Sequence, residues 1–160
     1  MANKPMNQPS RFVDWDHVIN AIETTLTADK LIQKQLQSAL DNWQTNIVYY
    51  RECCTVMAGG GRQNGKTDWI VTYADENTLI VTDGAHTSRS IEQRIRDGQP
   101  KGVPEPLVWS AGNRQAYPDR KFTKVMVDSA SYVFRKWDIN KFYKSLMPHV
   151  TPDTMFYLIG

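Results

Sequence analysis

The eight residues Gly60-Gly61-Arg62-Gln63-Asn64-Gly65-Lys66-Thr67 combine the residue types needed to hold a polyphosphate. Their spacing is G-x-x-x-x-G-K-[ST]. Gly60 and Gly65 allow the backbone to turn tightly and come close to phosphate oxygens. The N–H groups of such a loop converge on the anion, helped by the positive end of the helix that follows. Lys66 would neutralise the β- and γ-phosphates as a point charge, and the Thr67 hydroxyl would ligate the Mg2+ that bridges them. The implied ligand is a nucleoside triphosphate with Mg2+. The competing reading is a glycine-rich turn with an incidental Gly-Lys-Thr. Context counts against it, because an apolar run precedes the loop and a helical pattern follows.

A magnesium-phosphate cradle also needs a carboxylate at the end of a nearby strand. Asp128, after Val125-Met126-Val127, is the candidate. Its alternative role is to cap the segment Ser129-Ala130-Ser131. Hydrolysis needs, in addition, a group that orients the attacking water. Ser129 follows Asp128 directly, and Glu76, Glu92 and Glu105 are glutamates without motif support. Asp83 closes another apolar run and reads either as a helix cap or as a substrate-binding carboxylate. Nucleotide binding is therefore legible in these residues, and hydrolysis is not.

The elements that must position these groups alternate. Cys53–Ala58, Thr78–Thr82, Leu107–Ser110, Lys124–Asp128 and Thr154–Ile159 read as strands, several of them apolar throughout, as in a sheet covered on both faces. Lys66–Ala74, Ser88–Arg96 and Asp138–Leu146 read as helices, and Gly98–Pro106 as a surface loop. The predicted fold is α/β: three αβα layers around a mostly parallel sheet. Ahead of this core, Val13, Val18, Ile19, Ile22 and Leu26 predict one helix. A second, capped at Thr27 or Asp29, carries Leu31, Ile32, Leu36, Ala39, Leu40 and Trp43, making a helical hairpin. The domain reading is a flexible start over 1–12 and a single domain over 13–160, with a helical lead-in over 13–45 and the core over 46–160.

Composition excludes little. The chain has 160 residues, 41% of them hydrophobic, with a formal net charge of +2. That suits one globular domain and neither demands nor excludes nucleic acid. The adjacent Cys53 and Cys54 read as buried thiols, and Cys and His spacing offers no zinc site. Met1–Ser10 is polar, unlike a signal peptide, and no run approaches the ~18 apolar residues of a membrane span. The expectation is a soluble cytoplasmic protein. Arg89, Arg94, Arg96, Lys101, Arg114, Arg120, Lys121 and Lys124 read first as a solvated face among acids, and second as a phosphate-contacting surface. Tyr49, Tyr50, Trp69, Trp109, Trp137, Phe142 and Tyr143 read as packing residues.

The loop Gly61–Thr67, with Arg62-Gln63 ahead of the Gly-Lys-Thr, resembles that of phage large-terminase ATPases. Trp43-Gln44, some sixteen residues ahead of Gly60, is similar to the aromatic-Gln adenine motif of terminases and related helicases. Thr78–Ser88 and the stretch Ala111–Arg114 followed by Phe122–Ser131 resemble their next strands and loops. The resemblance spans roughly residues 40–135. It implies a P-loop NTPase fold, ATP and Mg2+ as ligands, and Gln44 reading adenine. It also implies Arg62 sensing the γ-phosphate, with DNA or further subunits as partners in a phage-infected cell. Three departures accompany it, one being that the strand Thr154–Ile159 ends without the polar coupling motif expected after it. Ser129 stands where the family has a catalytic Glu, and the chain to Gly160 leaves no room for the family's C-terminal nuclease. An ATPase or ATP-dependent switch is thus expected. A small-molecule kinase with Gly98–Asp119 as lid, and a nucleotide-binding or degenerate interaction module without turnover, are the alternatives.

Overall fold

Thr78-Leu79-Ile80-Val81-Thr82 is buried at every position, which a strand achieves only with both faces of its sheet covered. The computed structural model describes residues 13–34, 47–59, 65–111 and 119–160. In chain order it contains α1 (Trp15–Lys34), α2 (Ile47–Cys53), β1 (Thr55–Ala58), α3 (Lys66–Tyr73), β2 (Thr78–Thr82) and α4 (Ala85–Gly98). There follow β3 (Leu107–Ser110), β4 (Phe122–Asp128), α5 (Ala130–Lys136), α6 (Ile139–Leu146), a 3-10 turn (Met147–His149) and β5 (Val150–Ile159). The five strands form one sheet in the order β1-β5-β4-β2-β3, and every neighbouring pair is parallel. Parallel pairing demands long crossovers, and helices supply those from β1 to β2, from β2 to β3 and from β4 to β5.

Side-chain alternation sends successive residues of each strand to opposite faces. Val125 and Val127 join a core built with Tyr50 of α2, Val133 of α5 and Phe142, Tyr143 and Leu146 of α6. Met126, between them, joins a second core with Trp15 and Ile19 of α1, Ile70 of α3 and Ile91 and Ile95 of α4. The chain is therefore α/β, with an all-parallel sheet and helices on both faces. Cys53 and Cys54 are buried thiols, as their apolar setting predicts.

Some expected boundaries are corrected. No second helix starts at Thr27 or Asp29, since α1 runs through both to Lys34. The Thr27 hydroxyl donates to the Glu23 carbonyl at 2.8 Å, as Thr24 and Thr25 donate to Asn20 and Ala21. These threonines bond back along the helix, so none starts a new one. The rest of the expected hairpin, residues 35–46, and the start at 1–12 lie outside the described residues. Cys53 ends α2 and does not open β1; the Cys54 N–H still bonds to the Tyr50 carbonyl at 3.1 Å. Cys53 and Cys54 merge with the next strand into one short apolar run, whose period is ambiguous. β5 begins at Val150, ahead of the expected Thr154, and contains Pro152. The proline falls where pairing to β4 shifts register, between Phe122–Val150 and Lys124–Met155. Helix α5 was not signalled by periodicity. No helix among the described residues is long and apolar enough to cross a membrane.

Candidate functional site

Register brings the ends of three strands into one row. Ala58 of β1 pairs with Ile159 of β5, and Ile159 pairs with Asp128 of β4. The chain therefore leaves the same edge of the sheet at Gly59, Gly160 and Ser129. In an open parallel sheet this carboxyl edge is where ligands bind. From Gly59 the chain passes to Gly65, which has φ 81° and ψ 5° and precedes α3. A left-handed residue at that point is natural for glycine and strained for residues with a Cβ. Gly65 delivers Lys66 and Thr67 as the first two residues of α3, and no side chain caps that helix. Its first-turn N–H groups thus point toward the carboxyl edge.

The Thr67 hydroxyl donates to Asp128 Oδ2 at 3.0 Å, across 61 residues of sequence. β5 lies between the strands that lead to these residues, so the contact requires α3 to reach over the end of the sheet. Asp128 is only 2% exposed, and Ser129 Oγ approaches its other oxygen at 3.4 Å. A carboxylate this buried is costly unless bonded or matched by a cation. Ser129 is the one non-glycine residue with positive φ among the described residues, at 59°. Such strain persists where surrounding structure enforces it. Here the turn lets α5 start directly after Asp128, through bonds from the Tyr132 and Val133 N–H groups to the Ser129 carbonyl.

Lys66 stands beside the end of β5: a Cβ placed on Gly160 would lie 2.7 Å from Lys66 Nζ. A cavity of about 520 Å³ opens along this edge, lined by Met57, Gly59, Phe134, Ile139 and Gly160 among others. Its walls are mainly apolar, and Ser131 and Asp138 add polar groups.

Among the described residues no group of three or more His, Cys, Asp or Glu is placed to hold a metal. Thr67 and Asp128 instead offer one hydroxyl and one carboxylate. That set fits Mg2+, which keeps several waters and takes further oxygens from phosphates. It fits poorly a metal that needs an all-protein cage.

Of the sequence-predicted site residues, the structure brings Gly65, Lys66, Thr67 and Asp128 together. Gly60, Gly61, Arg62, Gln63, Asn64 and Gln44 lie outside the described residues. Asp83 follows β2 at the same edge, but its carboxylate accepts the Thr87 hydroxyl at 2.7 Å and its carbonyl accepts Lys136 Nζ at 2.9 Å. Glu76 and Glu105 precede β2 and β3, so they belong to the opposite edge of the sheet. Glu92 sits two turns into α4, 3.7 Å from Arg96. Glu23 accepts the Tyr157 hydroxyl and Glu52 pairs with Arg51.

Several of the basic residues behave as the first reading expects, while Arg120 departs from it, with Nε and Nη2 of its guanidinium buried. Arg94 meets Asp68, Arg96 meets Glu92 and Lys124 meets Asp75. Arg120 lies over the Phe122 ring at 5.0 Å. The aromatics pack likewise, Trp137 standing 5.4 Å from both Trp109 and Phe142. Sequence reasoning missed Gly160 and the cavity beside it. The signal available was small, a glycine directly after the apolar run that ends at Ile159. A search of protein-family models and of curated proteins returns no match to the chain.

Proposed function

We propose that the chain binds a nucleoside triphosphate, ATP, as its Mg2+ complex on the loop 60–67, and that it is an ATPase of the terminase/helicase-like class. The single observation that carries this reading is the 3.0 Å bond between Thr67 and the buried Asp128. The motif leads to the expectation of a strand-end Asp, and the contact between Thr67 and Asp128, 61 residues apart in sequence at the carboxyl edge of the sheet, supports that reading. On this reading the loop N–H groups and the start of α3 hold the phosphates. Lys66 neutralises the terminal pair, Thr67 and Asp128 hold the cation, and Arg62 contacts the γ-phosphate. Mg2+, when bound, offsets charge on the β- and γ-phosphates. Asp128 at 2% exposure is shielded from water, which strengthens its interaction with a cation.

A second reading, a nucleotide-binding module without turnover, is favoured by one specific finding. Each glutamate of the chain, Glu23, Glu52, Glu76, Glu92 and Glu105, is engaged or placed away from Asp128, and Ser129 follows it. The kinase reading gains no such support, since Asp83 is already hydrogen-bonded to Thr87. Phosphate release from ATP, measured with and without DNA and with and without a hydroxyl acceptor, separates the three. Release without acceptor supports the ATPase. Saturable binding without release supports the module. Transfer only to an acceptor would replace both with the kinase.

A further inference from the structure

Gly160 has φ 103°, a backbone conformation that residues with a Cβ rarely adopt. An added Cβ would stand 2.7 Å from Lys66 Nζ, 3.4 Å from Lys66 Cδ and 3.4 Å from Ser129 Cα. The two other contacts of this residue are backbone and rigid: its N–H donates to the Ala58 carbonyl at 2.8 Å, and its carbonyl accepts from Ser131 N–H at 3.1 Å. These bonds tie it to the exits of β1 and β4 at once, so Gly160 cannot retreat. The one flexible partner in the clash is the Lys66 side chain. At the same edge Gly59 and Gly84 are different, because a Cβ on either meets nothing within 4 Å.

We propose that Gly160 is a positioning residue for Lys66: its missing side chain leaves the space in which the lysine ammonium stands over the end of β5. A side chain at 160 meets Lys66 Nζ first and displaces the ammonium from the carboxyl edge. This rests on the reading of Lys66 as a phosphate ligand for its effect on nucleotide, but not for the effect on Lys66 itself. The terminal strand thereby takes part in the site through a backbone position, in a way that its apolar sequence does not announce.

The test combines a double-mutant cycle with a chemical probe. ATP affinity is measured for wild type, Gly160→Ala, Lys66→Ala and the double variant. Gly160→Ala is expected to weaken ATP about tenfold, comparable to loss of one charge-assisted contact. In the Lys66→Ala background it should add nothing. An equal loss in both backgrounds would overturn the proposal, since a general disturbance of the edge acts whether or not the lysine is there. In the absence of nucleotide, the rate at which an amine reagent modifies Lys66, followed on its own peptide, should change several-fold in Gly160→Ala and not in Gly84→Ala. An unchanged rate in Gly160→Ala would overturn the proposal as well. Gly160→Asn serves if the alanine variant folds poorly, because Asn tolerates positive φ and carries the same Cβ. Should wild type fail to bind ATP while the labelling change appears, the nucleotide reading falls and the positioning of Lys66 stands.

Discussion

Asp75 and Asp128 stand at opposite ends of the same sheet, one in the turn before β2 and the other closing β4. At the amino edge, Asp75 accepts from the Thr78 hydroxyl at 2.9 Å and the Asn77 N–H at 3.0 Å, and pairs with Lys124 at 2.7 Å. Lys124 in turn donates to the Tyr73 carbonyl at 2.9 Å. Each charge has an opposite charge beside it, the turn is closed, and the cluster joins α3 to the starts of β2 and β4. At the carboxyl edge, Asp128 is more deeply buried, and the neutral hydroxyls of Thr67 and Ser129 approach its two oxygens. Around it are residues with positive φ, Gly65, Ser129 and Gly160, and an open cavity. The first arrangement is what a structural ion pair looks like. The second buries a carboxylate at the edge where Lys66 stands by Gly160 and leaves room for a ligand, and proteins tolerate such arrangements mainly where they function.

The comparison breaks if the two carboxylates respond alike to the same change. Asp128→Asn keeps the side-chain shape and removes the charge. It is expected to weaken Mg2+-dependent ATP binding by about 100-fold, roughly 2.7 kcal/mol, as titration calorimetry would report. Its folding stability should be unchanged or higher, because a buried charge is relieved. A drop in stability with unaltered ATP affinity would make Asp128 structural and erase the contrast.

Gly65→Ala probes the turn that delivers Lys66 and Thr67. With φ at 81°, alanine there should cost about 1–2 kcal/mol. It should also weaken ATP, since the loop cannot close on phosphate. Chemical denaturation and the same calorimetry read both effects. Loss of stability with full affinity would mean that the turn shape is irrelevant to the site.

Asp75→Asn should show the reverse pattern to Asp128→Asn, at the smallest scale. Asp75 is 41% exposed and Lys124 30%, so the pair is worth about 0.5–1 kcal/mol and ATP affinity should not change. Burial pushes the Asp75 carboxyl up, but Lys124 and the bonds from Thr78 and Asn77 outweigh it and hold it below the usual carboxylate range. A folded-state pKa below the unfolded one gives stability that is present above the unfolded value of about 3.9 and lost as pH falls through the folded value. The stability gap between wild type and Asp75→Asn should therefore be flat at neutral pH and close below about pH 4. A gap that persists at lower pH would remove the ion pair from the explanation.

How much of this was readable beforehand depends on the element. Thr78–Thr82 and Leu107–Ser110 declare themselves because short apolar runs between turn residues have one stable use in an α/β chain. The grouping of Gly65, Lys66 and Thr67 with Asp128 was legible because the G-x-x-x-x-G-K-[ST] spacing calls for a carboxylate at a nearby strand end. The boundary at Cys53 was not, because Cys53 and Cys54 merge with the apolar run of the strand from Thr55 to Ala58. Thr27 misled for a different reason, since threonine caps helices and also bonds back within them, and only the fold decides which. Gly160 was illegible because its importance lies in a contact with Lys66 that is 94 residues away in sequence and arises from strand order alone.

The most direct test of the account is the ATP affinity of wild type against Lys66→Ala, by calorimetry in the presence of Mg2+, with circular dichroism confirming that both are folded. The account predicts saturable binding for wild type and a loss of about 100-fold or more for Lys66→Ala. Equal affinity in the two proteins would contradict it, because the cradle would then not hold phosphate.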